Sequence, residues 1–228
     1  MKSGSSGAVF LDKMRRMKID ILTLFPEMVE QGLSYSIPGR GQKNGLVQVR
    51  PVFLRNFGVD KHGNVDDTPY GGGPGMILRV DVADRALEAT DPGHQAWRIM
   101  MSPDGETFTQ EIAKKFSKRE HLVILCGRYE GFDARIEKFV DQKVSVGPYV
   151  LSGGELPAMT IVDAVVRLIP GVLGNEESLK SETHEDGTTD YPQYTRPDEY
   201  KGEGVPEVLK NGHHAEIAKW RSQNQRHL

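Results

Sequence analysis

The chain has 228 residues, room for one large domain or for a domain with a small appendage. Its 37% hydrophobic and 27% charged residues are ordinary for a soluble globular protein, and no apolar run nears the ~20 residues that span a bilayer. One cysteine, Cys126, excludes an internal disulfide and fits a reducing cytoplasm. The net charge of −3 hides an uneven distribution, because residues 175–199 carry eight acids against Lys180 and Arg196. The rest of the chain is left near +3, which permits a surface for a polyanion without demanding one.

In chain order, residues 1–16 read as a flexible leader or tag without a secretory signal, and Met17 is the expected biological start. Apolar, β-rich runs at residues 19–25, 46–53, 97–101, 122–126 and 144–146 predict strands. Helical patterns lie between most of them, at 26–33, 82–89, 110–117 and 133–139. Pro26 suits the first turn of its helix, and Asp81 and Thr109 are expected N-caps. This alternation predicts an α/β domain over residues 17–170 with a mostly parallel sheet. The longest helical pattern, 156–169, has Pro157 near its start and Pro170-Gly171 as its stop. Its apolar face holds Ile161, Val162, Val165, Leu168 and Ile169, while Thr160, Asp163 and Arg167 share another. Residues 171–190 are glycine-punctuated and acidic, the composition of a mobile linker. A small helical C-terminal domain is expected over 191–228, with its helix at 213–222.

Familiar nucleotide motifs are absent. Gly39-Arg40-Gly41 and Gly71-Gly72-Gly73-Pro74-Gly75 both fail the spacing of a dinucleotide or phosphate loop. No Cys/His set has zinc spacing, so no metal ligand is assigned, and His213-His214 read as a capping or surface pair. Three glycine-bearing turns do follow strands: Ser102-Pro103-Asp104-Gly105, Cys126-Gly127-Arg128-Tyr129-Glu130-Gly131, and the stretch from Gly147-Pro148-Tyr149 to Gly153-Gly154-Glu155-Leu156-Pro157. Each alone is an ordinary turn. Together, at the carboxyl ends of parallel strands, they make a pocket lined by backbone edges, where adenine could be read by main-chain hydrogen bonds.

These motifs carry a resemblance. Tyr70-Gly71-Gly72-Gly73-Pro74-Gly75-Met76, the Cys126 and Tyr149 segments, Ile169-Pro170-Gly171-Val172-Leu173-Gly174, Tyr194-Thr195-Arg196-Pro197 and the stretch from Gly212-His213-His214 to Lys219-Trp220-Arg221 occur in the order found in the TrmD family. That family comprises bacterial tRNA (guanine-37-N1)-methyltransferases of the SPOUT superfamily, and the resemblance runs from about Met17 to Arg221. It implies a SPOUT-type, mostly parallel sheet with a deep trefoil knot, which periodicity alone does not give. It further implies a homodimer with active sites at the interface, tRNA as partner, and S-adenosylmethionine held around Ser102, Pro103, Gly127, Tyr129, Glu130, Gly147, Tyr149, Leu151, Gly153, Gly154 and Pro157.

The implied chemistry asks for two more groups, because guanine N1 must lose its proton before it can attack and the charge then collects on O6. The resemblance puts the arginine for O6 at Arg167 and the general base at Glu182, and it adds Mg²⁺ as an assisting ion near Glu130 and Glu182. On their own pattern both residues have plainer readings. Arg167 could pair with Asp163 on the helix surface for about 0.3–0.5 kcal/mol, and Glu182 could be a solvated charge, with Glu185 and Asp186 as neighbours able to replace it. The sequence departs from the family in Glu182-Thr183-His184, where Asp-Ser-Phe is commoner, in Gln193, where histidine is common, and in ending soon after Arg221. Other readings are a SPOUT enzyme acting on a ribose hydroxyl or an rRNA base, and a knotted binding protein without turnover.

Overall fold

Burial at successive rather than alternate positions marks the first strand as covered on both faces, although its apolar residues alternate with Lys18 and Asp20 up to Ile21. The computed structural model describes residues 16–174, 183 and 189–225, and this strand is β1 (Met17–Thr23). After it come α1 (Pro26–Gly32), α2 (Ser36–Lys43), β2 (Val47–Phe53) and a 3-10 turn (Leu54–Phe57). A small ribbon of β3 (Asp66–Asp67) and β4 (Ile77–Leu78) leads to α3 (Val80–Thr90), β5 (Trp97–Thr107), α4 (Gln110–Phe116) and β6 (His121–Leu125). A second 3-10 turn (Ala134–Phe139), β7 (Gln142–Ser145) and α5 (Glu155–Val166) complete the first compact unit, which ends at Gly174.

The five long strands form one sheet in the order β2-β1-β6-β5-β7, and all its pairings are parallel. Because successive side chains leave opposite faces, Ile19 and Ile21 pack with α1, α4 and α5 on one side. Leu22, Val123 and Leu125 pack with α3 and the two 3-10 turns on the other. The expected α/β architecture with a mostly parallel sheet is therefore present.

Several local expectations change. Pro26 does open α1, and the Thr109 hydroxyl accepts from the Ile112 N–H at 3.4 Å. Asp81 does not cap α3: it lies inside the first turn, where its carboxylate takes the Arg79 guanidinium at 3.0 Å. Residues 133–139 make a 3-10 turn rather than an α-helix, begun by the Asp133 carboxylate accepting from the Arg135 N–H. The long helix ends at Val166, and Leu168 and Ile169 tighten into i→i−3 bonds to Val165 and Val166. The unexpected α2 contains Pro38, Gly39 and Gly41, all poor helix formers. Gly41 allows a close approach, since a Cβ there would come within 3.1–3.5 Å of Val47, Val166 and Val172, so packing overrides propensity.

β5 also runs further than its apolar stretch. Met101 and Glu106 both pair with Val144, so Ser102-Pro103-Asp104-Gly105 is extruded as a bulge and the strand resumes beyond it. Gly105 closes the detour, where a Cβ would come within 2.5 Å of the Val144 nitrogen.

The second unit, Asn175–Leu228, is described by residues 183 and 189–225. It holds a two-stranded ribbon of β8 (Glu199–Tyr200) and β9 (Glu203–Gly204), turned at Lys201 and Gly202 with both φ angles positive. A 3-10 turn (Glu207–Leu209) and α6 (His214–Asn224) follow, so the expected C-terminal helix is present. Trp220 on α6 meets Tyr194 at 6.2 Å between ring centroids, and Arg221 lies 4.8 Å over Tyr191.

One buried charge joins the strands of the first unit. Asp20 in β1 is 0% exposed and accepts from Arg50 of β2 at 2.6 Å and His121 of β6 at 2.8 Å, with Lys18 at 3.1 Å. Burial alone would raise its pKa, but these partners, His121 first, hold it below the ordinary value of 3.8. Its contribution to stability is therefore complete above the unfolded-state pKa and fades as pH falls through the lower, folded one. Asp20→Asn should reduce the unfolding free energy by about 2 kcal/mol in urea at pH 7, and the gap to wild type should close on acidification below about pH 4. Equal urea midpoints at pH 7 would show that the cluster does not hold the sheet.

Candidate functional site

Strands β5, β6 and β7 point their carboxyl ends at one cleft of about 390 Å³, within the range of small-molecule sites. The β5 bulge supplies Ser102 and Pro103, and the loop after β6 supplies Gly127, Tyr129 and Glu130. The segment between β7 and α5 supplies Tyr149, Leu151, Gly153 and Gly154, with Pro157 in the first turn of the helix. Ten of the eleven residues expected around the cofactor thus share one cavity. Gly147 is outside the lining. It is buried behind Tyr149, whose N–H donates to the Gly147 carbonyl at 2.9 Å, and a Cβ there would come within 2.5 Å of the tyrosine ring.

The two glycine loops touch directly. The Gly154 N–H donates to the Gly127 carbonyl at 2.8 Å, and a Cβ on Gly154 would lie 2.7 Å from the Cys126 Cα. Arg128 passes beneath Gly153, where a Cβ would come within 2.2 Å of its Nε. From there Arg128 Nε donates to Glu155 Oε2 at 2.9 Å and Nη1 donates to the Ser152 carbonyl at 3.1 Å, and the guanidinium lies 4.4 Å over the Phe25 ring. Glu155, 1% exposed, also accepts from the Thr23 hydroxyl at 2.8 Å. Sequence reasoning missed this set; its trace was the adjacent pair Gly153-Gly154 immediately before an acid. The loop itself is turned by Tyr129 at a φ of 58°, a left-handed conformation that non-glycine residues adopt rarely and mostly at functional sites. The Glu130 N–H donates to the Met76 carbonyl at 3.0 Å, so the glycine-rich segment before β4 buttresses the same loop.

Charge at the cleft is largely committed. Lys143, and after it the Ser102 hydroxyl, hold the Asp104 carboxyl below its ordinary pKa, and Arg135 does the same for Asp133. Lys143 in turn is raised by Asp104 and Glu137. The Cys126 thiol, closed off beneath the cleft, is pushed up by burial and then by the nearby Glu155 charge, so it stays protonated and is no nucleophile.

Arg167 caps the carboxyl end of α5, half-buried, with its N–H donating to the Asp163 carbonyl at 3.3 Å. It is not among the cleft-lining residues. It lies ten residues beyond the cleft-lining Pro157, about 15 Å along the helix axis. Glu182, with its rivals Glu185 and Asp186, lies outside the described residues.

Compared with known proteins, residues 17–227 match the family described as tRNA (Guanine-1)-methyltransferase TrmD. The chain belongs to this family. It is similar to the tRNA (guanine-N(1)-)-methyltransferase of Ruminiclostridium cellulolyticum, 53% identical over 210 residues that cover 91% of this chain and 90% of that one. The proteins of the same name from Staphylococcus epidermidis and Staphylococcus aureus are 51% and 52% identical over 206 residues, covering 90% of this chain and 84% of theirs. Two of the segments that carried the TrmD resemblance, those at Cys126 and Tyr149, are walls of the cleft.

The contact between the loops is steric and testable. Gly154 has an ordinary φ of −82°, so Gly154→Ala adds no backbone strain and only drives a methyl into Cys126 and Gly127. It should cost about 1–3 kcal/mol, read as a lower melting temperature. Gly174→Ala meets nothing within 4 Å and should leave the melting temperature unchanged. Equal melting of the two variants would mean that the loops are free to separate.

Proposed function

We infer that this chain transfers a methyl group from S-adenosylmethionine to N1 of guanosine 37 in tRNA, beside the anticodon. The observation that carries the reading is the TrmD family match over residues 17–227, with its Cys126 and Tyr149 motifs brought together at one cleft. The cleft suits the cofactor. Gly127, Gly153 and Gly154 bring main chain to its lining, and its sides carry Tyr129, Tyr149, Leu151 and Pro157 for an adenine ring and an apolar chain. When bound, S-adenosylmethionine supplies a sulfonium methyl that a nitrogen lone pair can take, leaving a neutral thioether.

The protein's task is then to free that lone pair. We assign Glu182 to accept the N1 proton and Arg167 to stabilise the charge that moves to O6. Two of the cleft's own acids, Asp104 and Asp133, are tied to Lys143 and Arg135, which weakens them as bases and supports a base from the acidic segment. Arg167, a helix length from the cleft of its own chain, supports active sites completed by a second copy. Phe25, Met28, Tyr149, Val150 and Leu156 are exposed hydrophobics in the unit that carries the cleft, surface that a homodimer would cover. The chain leaves β7 at the sheet edge and returns to lay Gly154 on Gly127 at the end of β6, a path that supports the deep trefoil knot. The aromatic and basic residues of α6 and its neighbours suit the C-terminal unit to tRNA. Among the described residues no three His, Cys, Asp or Glu side chains gather to hold a metal, so no step is derived through Mg²⁺. No helix among them is long and apolar enough to cross a membrane, and a tRNA substrate points to the cytoplasm.

The test is transfer of labelled methyl to an unmodified tRNA with guanosine at position 37, beside the same transcript with adenosine there. Label only in the guanosine transcript, mapped to N1, is expected. Equal label in both would move the target, and none in either would overturn the reading. Arg167→Ala and Glu182→Ala should each lower kcat by ~10²-fold or more, and wild-type rates in either would reassign its role.

A further inference from the structure

Glu155 is a buried charge that the proposed reaction does not use. Carboxylates are rarely retained in a protein interior, because desolvation costs several kcal/mol and an apolar residue of similar size is often as stable. The positive end of α5 favours an acid in its first turn, but an exposed glutamate would satisfy it equally. What burial adds is reach in two directions. One carboxylate oxygen takes the Thr23 hydroxyl at the end of β1, and the other takes Arg128 from the loop after β6. Arg128 then holds the segment before α5 through the Ser152 carbonyl and rests on Phe25. Arg128 lines the cleft, whereas Glu155 does not.

We propose that Glu155 is a positioning residue for methyl transfer, acting through Arg128 and Thr23 to hold together the two glycine loops that meet at the cleft. The proposal rests on the reading of this cleft as the methyl-donor site. Arginine suits the role because its planar fork meets a carboxylate and a carbonyl at once, which a lysine ammonium on a flexible stem does not reproduce. Gly153 suits it because any side chain there would strike the guanidinium. The Thr23 hydroxyl is held in turn, accepting from the Phe25 N–H at 2.9 Å, so the ring beneath Arg128 and the acceptor above it are set by the same strand end. Removing the carboxylate charge should leave the sheet intact and let the loops drift apart.

The experiment uses the full chain and its Glu155→Gln, Arg128→Lys and Thr23→Val variants. Binding of S-adenosylhomocysteine by calorimetry, kcat and KM for tRNA methylation, and thermal unfolding are all measured, with binding and rates taken at a temperature where every variant is folded. Glutamine keeps the volume and the acceptor for Thr23 but turns a donor toward Arg128. Glu155→Gln should weaken S-adenosylhomocysteine binding by ~10-fold or more and lower kcat, since small misplacements around a reacting centre cost up to about 10²-fold. Arg128→Lys should do the same, and the two changes together should cost less than their sum, as expected for residues in one network. Wild-type affinity and kcat in Glu155→Gln, with only a lower melting temperature, would overturn the proposal and leave Glu155 a stabilising group. If Glu155→Gln does not fold, Thr23→Val decides by the same readouts, because it keeps the ion pair and removes one tie. A wild-type chain that binds no S-adenosylhomocysteine would overturn the methyl-donor reading of the cleft, a different failure from wild-type affinity in the variants.

Discussion

The Gly154 N–H and the Gly127 carbonyl meet at 2.8 Å where two loops from different parts of the sequence come together. Neither residue has a side chain, and the backbones approach to a distance that a single methyl would prevent. Much at the cleft follows from that approach. With the loops in contact, Arg128 can run under Gly153 to the buried Glu155, and α5 begins directly beneath the carboxyl ends of the strands. The helix that starts there carries a broad apolar face from Ala158 to Val166 into the main core. One short stretch therefore serves as cleft floor, as loop tie and as the anchor of the longest helix.

The two ends of the sheet are built on different principles. At its amino ends charge is buried and satisfied: Asp20 gathers Arg50, Lys18 and His121, and Arg98, 1% exposed, is shared among Asp91, Glu88 and the Asp91 carbonyl. Such clusters tie strands and connections into one register, since each removal leaves a buried ion unpaired. At the carboxyl ends the glycine loops bring main chain to the cleft, Asp104 and Asp133 pair with Lys143 and Arg135 on its rim, and the buried Glu155, paired with Arg128, ties the loops together. Ligand sites in open α/β sheets commonly lie at this carboxyl end.

Much of this arrangement was legible in the sequence, and for physical reasons. The central strand β6 and the start of β5 announce themselves because residues buried on both faces are apolar without alternation, and the glycine turns after them stand out because they interrupt such runs. Ten of the eleven residues expected around the cofactor line one cavity, although their grouping came from family resemblance and not from spacing. Gly147 lies behind Tyr149, and a glycine that seats a ring looks, in sequence, like one that lines a cavity. The helix α2 was invisible because Gly39, Gly41 and Pro38 argue against it locally, while the close packing that favours it at Gly41 involves Val166 and Val172, far along the chain. The Thr23–Glu155 bond spans 132 positions, beyond the reach of any local pattern.

The bulge in β5 sets how the cleft opens. Ser102 to Gly105 leave the strand and rejoin it on the same partner, Val144, so both ends of that loop are pinned by sheet register. A detour pinned so closely has few shapes to sample, because its closure is enforced by the ladder and not by the loop's own preferences. That wall is the stiff jaw. The opposite one, Tyr149 to Leu151, is exposed and lies in a longer connection between β7 and α5. The first wall is therefore restrained by the ladder itself, while the second depends on contacts such as the Arg128 bond to the Ser152 carbonyl.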